Sequence, residues 1–326
     1  MPTNAASSGV RLDKATLKPL TRRSDRPGLR WLAVWLALLA TTGGLLWWSL
    51  GSWWSLPATL LFGSCLTLPA YAMSHECAHG TAFRSRWLNE TVFWATSLIY
   101  GEEPAHRRYA HACHHSNTWH PGKDAQMPFA TPMTFRGWVL EVTGLGMIAY
   151  EAQLLLRTAS GRPNGAVTAV APASELPRLI LGARIFLAVY LGLAMLAGLG
   201  QWWVVTFLLL PRLAGGPAMQ LYTITQHVEL EENAADLRRS TRSIRSGALG
   251  RFLYMNMQHH IEHHLFPLVP FHRLPALNRV LAPQLPPPDP GLWPCNLAIA
   301  TAVVKRSLGR NPRSDTIRQA PLPAAE

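Results

Sequence analysis

Charge is what this sequence has least of. Of its 326 residues, 15% are Asp, Glu, Lys or Arg and 48% are hydrophobic, where a soluble domain carries roughly 25% charged residues. The length would allow two soluble domains, but the gaps between charges exclude that picture. From Trp31 to Ser74 run 44 residues without one Asp, Glu, Lys or Arg, and from Ile185 to Pro211 another 27. A helix needs about 20 apolar residues to cross the hydrocarbon core, so the first run fits two spans. The chain reads as an integral, multi-pass membrane protein. Cysteine is also scarce: Cys65, Cys77, Cys113 and Cys295 lie far apart. They form no disulfide framework, which fits a reducing compartment.

Acidic residues are outnumbered, 18 to 30, leaving a formal charge of +12. The basic excess flanks the apolar runs, so anionic lipid headgroups are the expected partner and nucleic acid is not. The first 30 residues carry seven basic side chains against Asp13 and Asp25. They lack an early apolar region and a small-residue cleavage site, and read as a retained cytoplasmic tail rather than a signal peptide.

The first apolar run breaks at Ser49–Ser52, flanked by Trp47, Trp48, Trp53 and Trp54, where an aromatic belt belongs. Spans are therefore predicted at about 31–49 and 54–74 and, around Gly198–Gln201 with Trp202 and Trp203, at about 180–198 and 202–222. Neither tip is charged, whereas Arg84, Arg86, Arg107, Arg108, Arg178 and the stretch from Arg238 to Arg251 lie at the opposite ends. The positive-inside rule then puts both termini and the long connections in the cytoplasm. Leu88–Tyr100 and Trp138–Leu156 are too short or too charged to be safe spans and are expected at the interface or on the bundle. The predicted architecture is all-α: four transmembrane helices in two hairpins under a cytoplasmic helical cap. It divides into a basic tail (1–30), a transmembrane catalytic domain (31–282) and a C-terminal part (283–326). That last part comprises a proline-rich linker, an amphipathic helix near 295–309 and a disordered tail.

Thirteen histidines are present, most of them in three clusters: His75-Glu-Cys-Ala-His79, His111-Ala-Cys-His114-His115 and His260-Ile-Glu-His263-His264. Pairs three or four apart share one helix face and can aim at one point. At this histidine frequency an H-x2-H-H is expected by chance only about 0.02 times per chain, and here there are two. A lone histidine is usually a satisfied structural residue. Eight at one membrane face would repel when protonated and would each need partners when neutral. Metal coordination resolves both, and eight imidazoles exceed one four-coordinate ion, so a dimetal site is expected. Glu76, Asp124, Asn256 and Glu262 lie beside the clusters and are candidates to orient the imidazoles through their outer N–H groups, with a solvated or structural role as the alternative.

These boxes, in this order and spacing, resemble the membrane-bound fatty acid desaturase superfamily. The resemblance covers about residues 30–282. It includes the four spans, Arg107-Arg108 ahead of the second box, and the run Asn256-Met-Gln-His-His-Ile-Glu-His-His-Leu-Phe-Pro267. It implies two Fe ions that activate O2 to attack an unactivated C–H bond of a fatty acid or acyl-lipid chain. The implied ligands are His75, His79, His111, His114, His115, His260, His263 and His264. A ninth, after the fourth span, is His227, with an interfacial histidine as the alternative. His259 lies four before His263, which leaves the register open, and is read as a neighbour of the ligands.

His75-Glu76-Cys-Ala-His79 also matches the H-E-x-x-H zinc protease helix, but a protease has no use for six or seven further histidines. His120-Pro-Gly-Lys-Asp124 is similar to a haem-binding corner, with no room between the boxes for such a domain. Electrons are therefore expected from a separate ferredoxin- or cytochrome-like carrier with its reductase. The boxes do not separate desaturation, the leading reading, from hydroxylation or from oxidative decarboxylation of a free fatty acid to a terminal alkene. A zinc protease and a haem or metal carrier remain as remote alternatives. Arg212, in the fourth span, is expected either to bind carbonyls freed by Pro211 or to bind a substrate carboxylate.

Overall fold

The computed structural model describes residues 8–127 and 129–310. The tail predicted to be disordered falls mostly on residues 311–326, outside the described residues. Those described form helices and loops, with no strand beyond an isolated bridge between Ile244 and Asp289. Four helices are long and apolar enough to cross a membrane. They are α2 (Asp25–Ser49), α3 (Ser55–Ala78), α8 (Leu176–Gly198) and α9 (Trp202–His227). Each occupies a predicted span and extends past its basic end by roughly one to two turns. At the opposite ends Trp53 is 95% exposed and Trp48 81%, which for rings of this size marks a lipid-facing belt.

Helix α3 is central: 61% of its apolar window is buried, against 22–33% for the other three. It packs against α2, α9 and α4 (Arg86–Tyr100). Trp35 donates its indole N–H to Cys65 O at 2.8 Å, holding α2 to α3. The closest approach of α3 and α9 is at Gly63 and Gly215, where a Cβ on Gly215 would lie 2.0 Å from Gly63 O. Glycine at both positions is what lets the backbones touch. Helix α9 is irregular in step with its sequence: a π-helical turn at Val205–Leu209 precedes Pro211, which has no N–H to continue the ladder.

The segment expected as one piece over Trp138–Leu156 is two helices, α6 (Phe135–Val142) and α7 (Leu145–Ala159), meeting at 78°. Gly144 makes the corner with φ +74, and a Cβ there would stand 3.1 Å from Gly216 Cα on α9. The basic N-terminal segment is docked: Asp13 caps α1 (Lys14–Leu20), and Val10 and Leu20 are buried against Leu274, Leu277 and Leu281 of α11 (Leu274–Leu281). The C-terminal helix α12 (Leu292–Ser307) packs on α9 and α6, burying Ile299, Ala302 and Val303. Its Arg306 pairs with Glu229 just beyond α9.

Candidate metal centre

Four short stretches of helix end on one another beneath this packing. They are the end of α3 (His75, His79), α5 (Pro104–Ser116; His111, His114, His115), the end of α9 (His227) and α10 (His260–Leu265; His260, His263, His264). Their nine imidazoles fall into two groups, and within each group one ring nitrogen per residue lies within 4.8 Å of all the others. His75, His79, His111, His115 and His263 make one group; His114, His227, His260 and His264 make the other. The division follows helix geometry. Residues four apart share a face, so His75/His79, His111/His115 and His260/His264 stay together. His114 and His263, one residue from a paired histidine, are turned by about 100° into the opposite pocket.

The rings point at one another through Nε2. His111 Nε2 is 2.8 Å from His79 Nε2, His115 Nε2 lies 3.1 Å from His111 and from His263, and His260 Nε2 lies 3.1 Å from His227 and from His264. The outer nitrogens face acceptors: His111 Nδ1 to Gln126 Oε1, His114 Nδ1 to Asp124 Oδ2 and His227 Nδ1 to Ser240 O, each 2.8 Å. A neutral ring that donates from Nδ1 presents a lone pair at Nε2. Burial, with the adjacent Arg107 and neighbouring rings, holds His79 down at about 3. Burial likewise holds His111, His115, His260, His263 and His264 well below the usual histidine range. His75 is 1% exposed with neither ring nitrogen hydrogen-bonded among the described residues. Converging lone pairs in buried pockets are a donor set able to hold a divalent transition metal.

His259 belongs to neither group. It is half-buried, with Nδ1 3.5 Å from Glu262 Oε1. Of the four residues expected to orient imidazoles, Asp124 contacts one, accepting also from the N–H groups of Trp119 and Gln126. The other three turn elsewhere. Glu76 accepts from Thr81 Oγ1 and Phe271 N–H, Glu262 from Ser243 and Asn278, and Asn256 donates to Phe271 O from a left-handed backbone with φ 58. Glu76 and Glu262, each next to a box histidine on a helix, project about 100° away from it, and Asn256 lies outside the helix that carries its box. Gln126, Ser240 O and Thr118, whose hydroxyl is 3.1 Å from His264 Nδ1, were not foreseen. They reach the rings from other segments, Gln126 and Thr118 from turns and Ser240 from the end of a short helix (Leu237–Ser240), at no fixed spacing, and the sequence carries no signal for Gln126 or Ser240. Arg212 donates from Nε and Nη2 to Tyr100 O at 3.1 and 2.6 Å. The carbonyl it holds ends α4 and is not one freed by Pro211.

A bundle of apolar spans with two buried histidine pockets at one end defines a membrane protein with side-chain groups able to hold metal. The sequence comparisons give the family. Residues 51–296 match the fatty acid desaturase family profile, and the chain belongs to that family, whose members are oxidoreductases acting on lipid substrates in membranes. It is similar to the sphingolipid delta(4)-desaturase/C4-monooxygenase DES2 of Homo sapiens, 28% identical over 264 residues, covering 79% of this chain and 75% of that protein.

Proposed function

We propose that this protein is an O2-dependent diiron oxidase of an unactivated C–H bond in a lipid acyl chain, with desaturation as its leading reaction. The observation that carries this reading is the five-plus-four division of nine imidazoles, because two pockets of nitrogen donors suit a pair of redox metals. Bound iron would supply the activation of O2. The protein's part is to hold the ligands: Asp124, Gln126 and Ser240 O fix the donating Nδ1 of His114, His111 and His227 and so aim each Nε2 inward. Packing of α3, α5, α9 and α10 keeps bulk water away from the pockets, where eight of the nine histidines are no more than 6% exposed. Hydroxylation is the second reading, favoured by the relative whose name carries both a desaturase and a C4-monooxygenase activity.

Decarboxylation of a free fatty acid is less well supported, since Arg212, the candidate carboxylate partner, is engaged by Tyr100 O. The zinc protease reading fits the site less well. Three further histidines share the pocket of His75 and His79, where a protease zinc would take one further ligand. The spans are proposed as two hairpins with the basic ends and both termini in the cytoplasm. There a separate ferredoxin- or cytochrome-like carrier with its reductase delivers electrons. Mass spectrometry of lipids and volatile hydrocarbons from cells expressing the protein tests the reaction. Loss of two hydrogens supports desaturation, gain of one oxygen supports hydroxylation, a terminal alkene supports decarboxylation, and unchanged lipids with iron and donor present refute all three.

A further inference from the structure

The turn that leaves α5 has a strained backbone beside the histidines. Trp119 takes φ 59 and is 4% exposed. A bulky side chain in the left-handed region is an outlier that persists only where its surroundings hold it. Two clamps do so here. The Trp119 N–H donates to Asp124 Oδ2 at 2.9 Å, and the Trp119 carbonyl accepts from the Asn233 N–H at 3.1 Å. Asn233 lies in the loop that leaves α9, so the turn ties the exits of α5 and α9 together.

This conformation brings the turn against three of the four histidines of one pocket. The Trp119 ring lies nearly parallel to His227, with 22° between planes and 5.7 Å between centroids, inside the range of aromatic pairs. Thr118 Oγ1 donates to His114 O at 2.8 Å, which leaves its lone pairs to accept from His264 Nδ1 at 3.1 Å. The Asp124 Oδ2 that takes the Trp119 N–H also faces His114 Nδ1. The fourth histidine, His260, is approached from α9 instead, by Gln226 at 3.4 Å.

Packing alone does not account for a tryptophan here. Its apolar neighbours include Met133, Ile224, Val228, Ile299 and Val303, and its Nε1 is buried with no partner among the described residues. An aliphatic side chain would occupy such a niche without leaving a buried donor unpaired. What it would lack is a flat face. His227 is held at its edge by the bond from Nδ1 to Ser240 O. The ring torsion of histidine is broad, so one hydrogen bond limits it loosely. An indole laid along the imidazole narrows it.

We infer that Trp119 is a positioning residue for the four-histidine pocket, setting the plane of His227, and that the left-handed turn places it there together with Thr118. The inference rests on the two-iron reading and concerns one of its pockets. The test is anaerobic titration of ferrous iron into the purified, metal-free full chain in detergent. Chelator competition gives the affinity of each bound ion, and thermal unfolding is followed on the same apo preparations. Trp119→Leu should weaken one of two irons by at least about tenfold and leave the other within about twofold. Trp119→Phe keeps a flat ring and should hold both irons within about threefold of wild type. Both variants shorten a buried side chain and should lower the apo unfolding temperature, so a packing role alone would make affinity follow stability. The weakened ion should be the one that His227→Ala loses: adding Trp119→Leu to His227→Ala should not change the affinity of the remaining iron. Thr118→Val, nearly equal in volume, should weaken that same ion by at least about tenfold and carries the test if Trp119→Leu does not fold. Equal weakening of both irons, a loss in Trp119→Phe as large as in Trp119→Leu, or unchanged affinity in Thr118→Val overturns the inference. The failures separate. A wild-type chain that takes up no iron sinks the iron reading and this inference with it, whereas two irons in wild type, both unmoved by Trp119→Leu, sink this inference alone.

Discussion

Alanine at Gly215 should force α3 and α9 apart. The added Cβ would stand 2.0 Å from Gly63 O and 2.5 Å from Thr67 Oγ1, whereas a carbon rests against a carbonyl oxygen at roughly 3.3 Å or more. The helices must separate by about 1 Å or bend, since the obstacle is backbone and cannot swing aside. Overpacking of this kind costs typically about 1–3 kcal/mol. The damage reaches the site, because α3 delivers His75 and His79 and α9 delivers His227. The assay is thermal unfolding of the purified protein in detergent, followed by tryptophan fluorescence, with bound iron measured on the same preparation. Gly44→Ala and Gly192→Ala are controls, for nothing lies within 4 Å of a Cβ at either position. Both should be neutral or stabilising by up to about 1 kcal/mol. Gly215→Ala should unfold several degrees below them and retain less iron. If it unfolds where Gly192→Ala does, the close helix contact is wrong.

Asp124→Asn removes the carboxylate that orients His114 and should weaken metal binding about 10–100-fold, measured by chelator competition; unchanged affinity would contradict that role. Arg242 donates to Thr225 O and Val228 O at the end of α9 and pairs with Asp289 at 2.7 Å. Asp289→Asn should therefore loosen His227 and lower metal content, and full content with native stability would refute the link. Burial pushes Glu141 up to about 7. Between its ordinary 4.5 and that value the unfolded chain releases a proton that the folded chain keeps, so stability falls as pH rises through this window. Glu141→Gln should flatten that fall in unfolding temperature, and an unchanged slope would argue against a buried neutral carboxyl. Arg212→Gln should destabilise the fold by about 1.5–3 kcal/mol, losing a charged hydrogen bond to Tyr100 O. Its kinetic effect should be equal on acid and ester substrates, and a KM rise confined to the acid would restore the carboxylate reading.

The spans were legible because hydrocarbon thickness imposes itself on composition over 20 or so residues, as from Trp31 to Ser74. The histidines were legible because the spacing in His111-Ala-Cys-His114-His115 maps onto helix faces. That spacing also contained the division into pockets, since His111 and His115 share a face that His114 leaves. What was not legible depends on contacts between distant segments. The corner at Gly144 follows from its contact with Gly216, 72 residues away, and the partners of the outer nitrogens arrive from other segments, at Gln126 and Ser240. Glu76 and Glu262 were natural candidates by adjacency, yet the helix turns them toward Phe271 and Asn278. The N-terminal segment read as a basic tail because its charges dominate; its four apolar anchors, Val10, Leu12, Leu17 and Leu20, are too few to stand out without α11 beside them.

The most direct test of the central claim, that nine histidines form two iron pockets, is the metal content of the purified, folded chain. It should be measured by mass spectrometry alongside that of His227→Ala and His259→Ala. The expected result is about two irons per chain with little zinc, a loss confined to one pocket in His227→Ala, and no loss in His259→Ala. About one zinc and no iron, or two irons retained in His227→Ala but lost in His259→Ala, would contradict it.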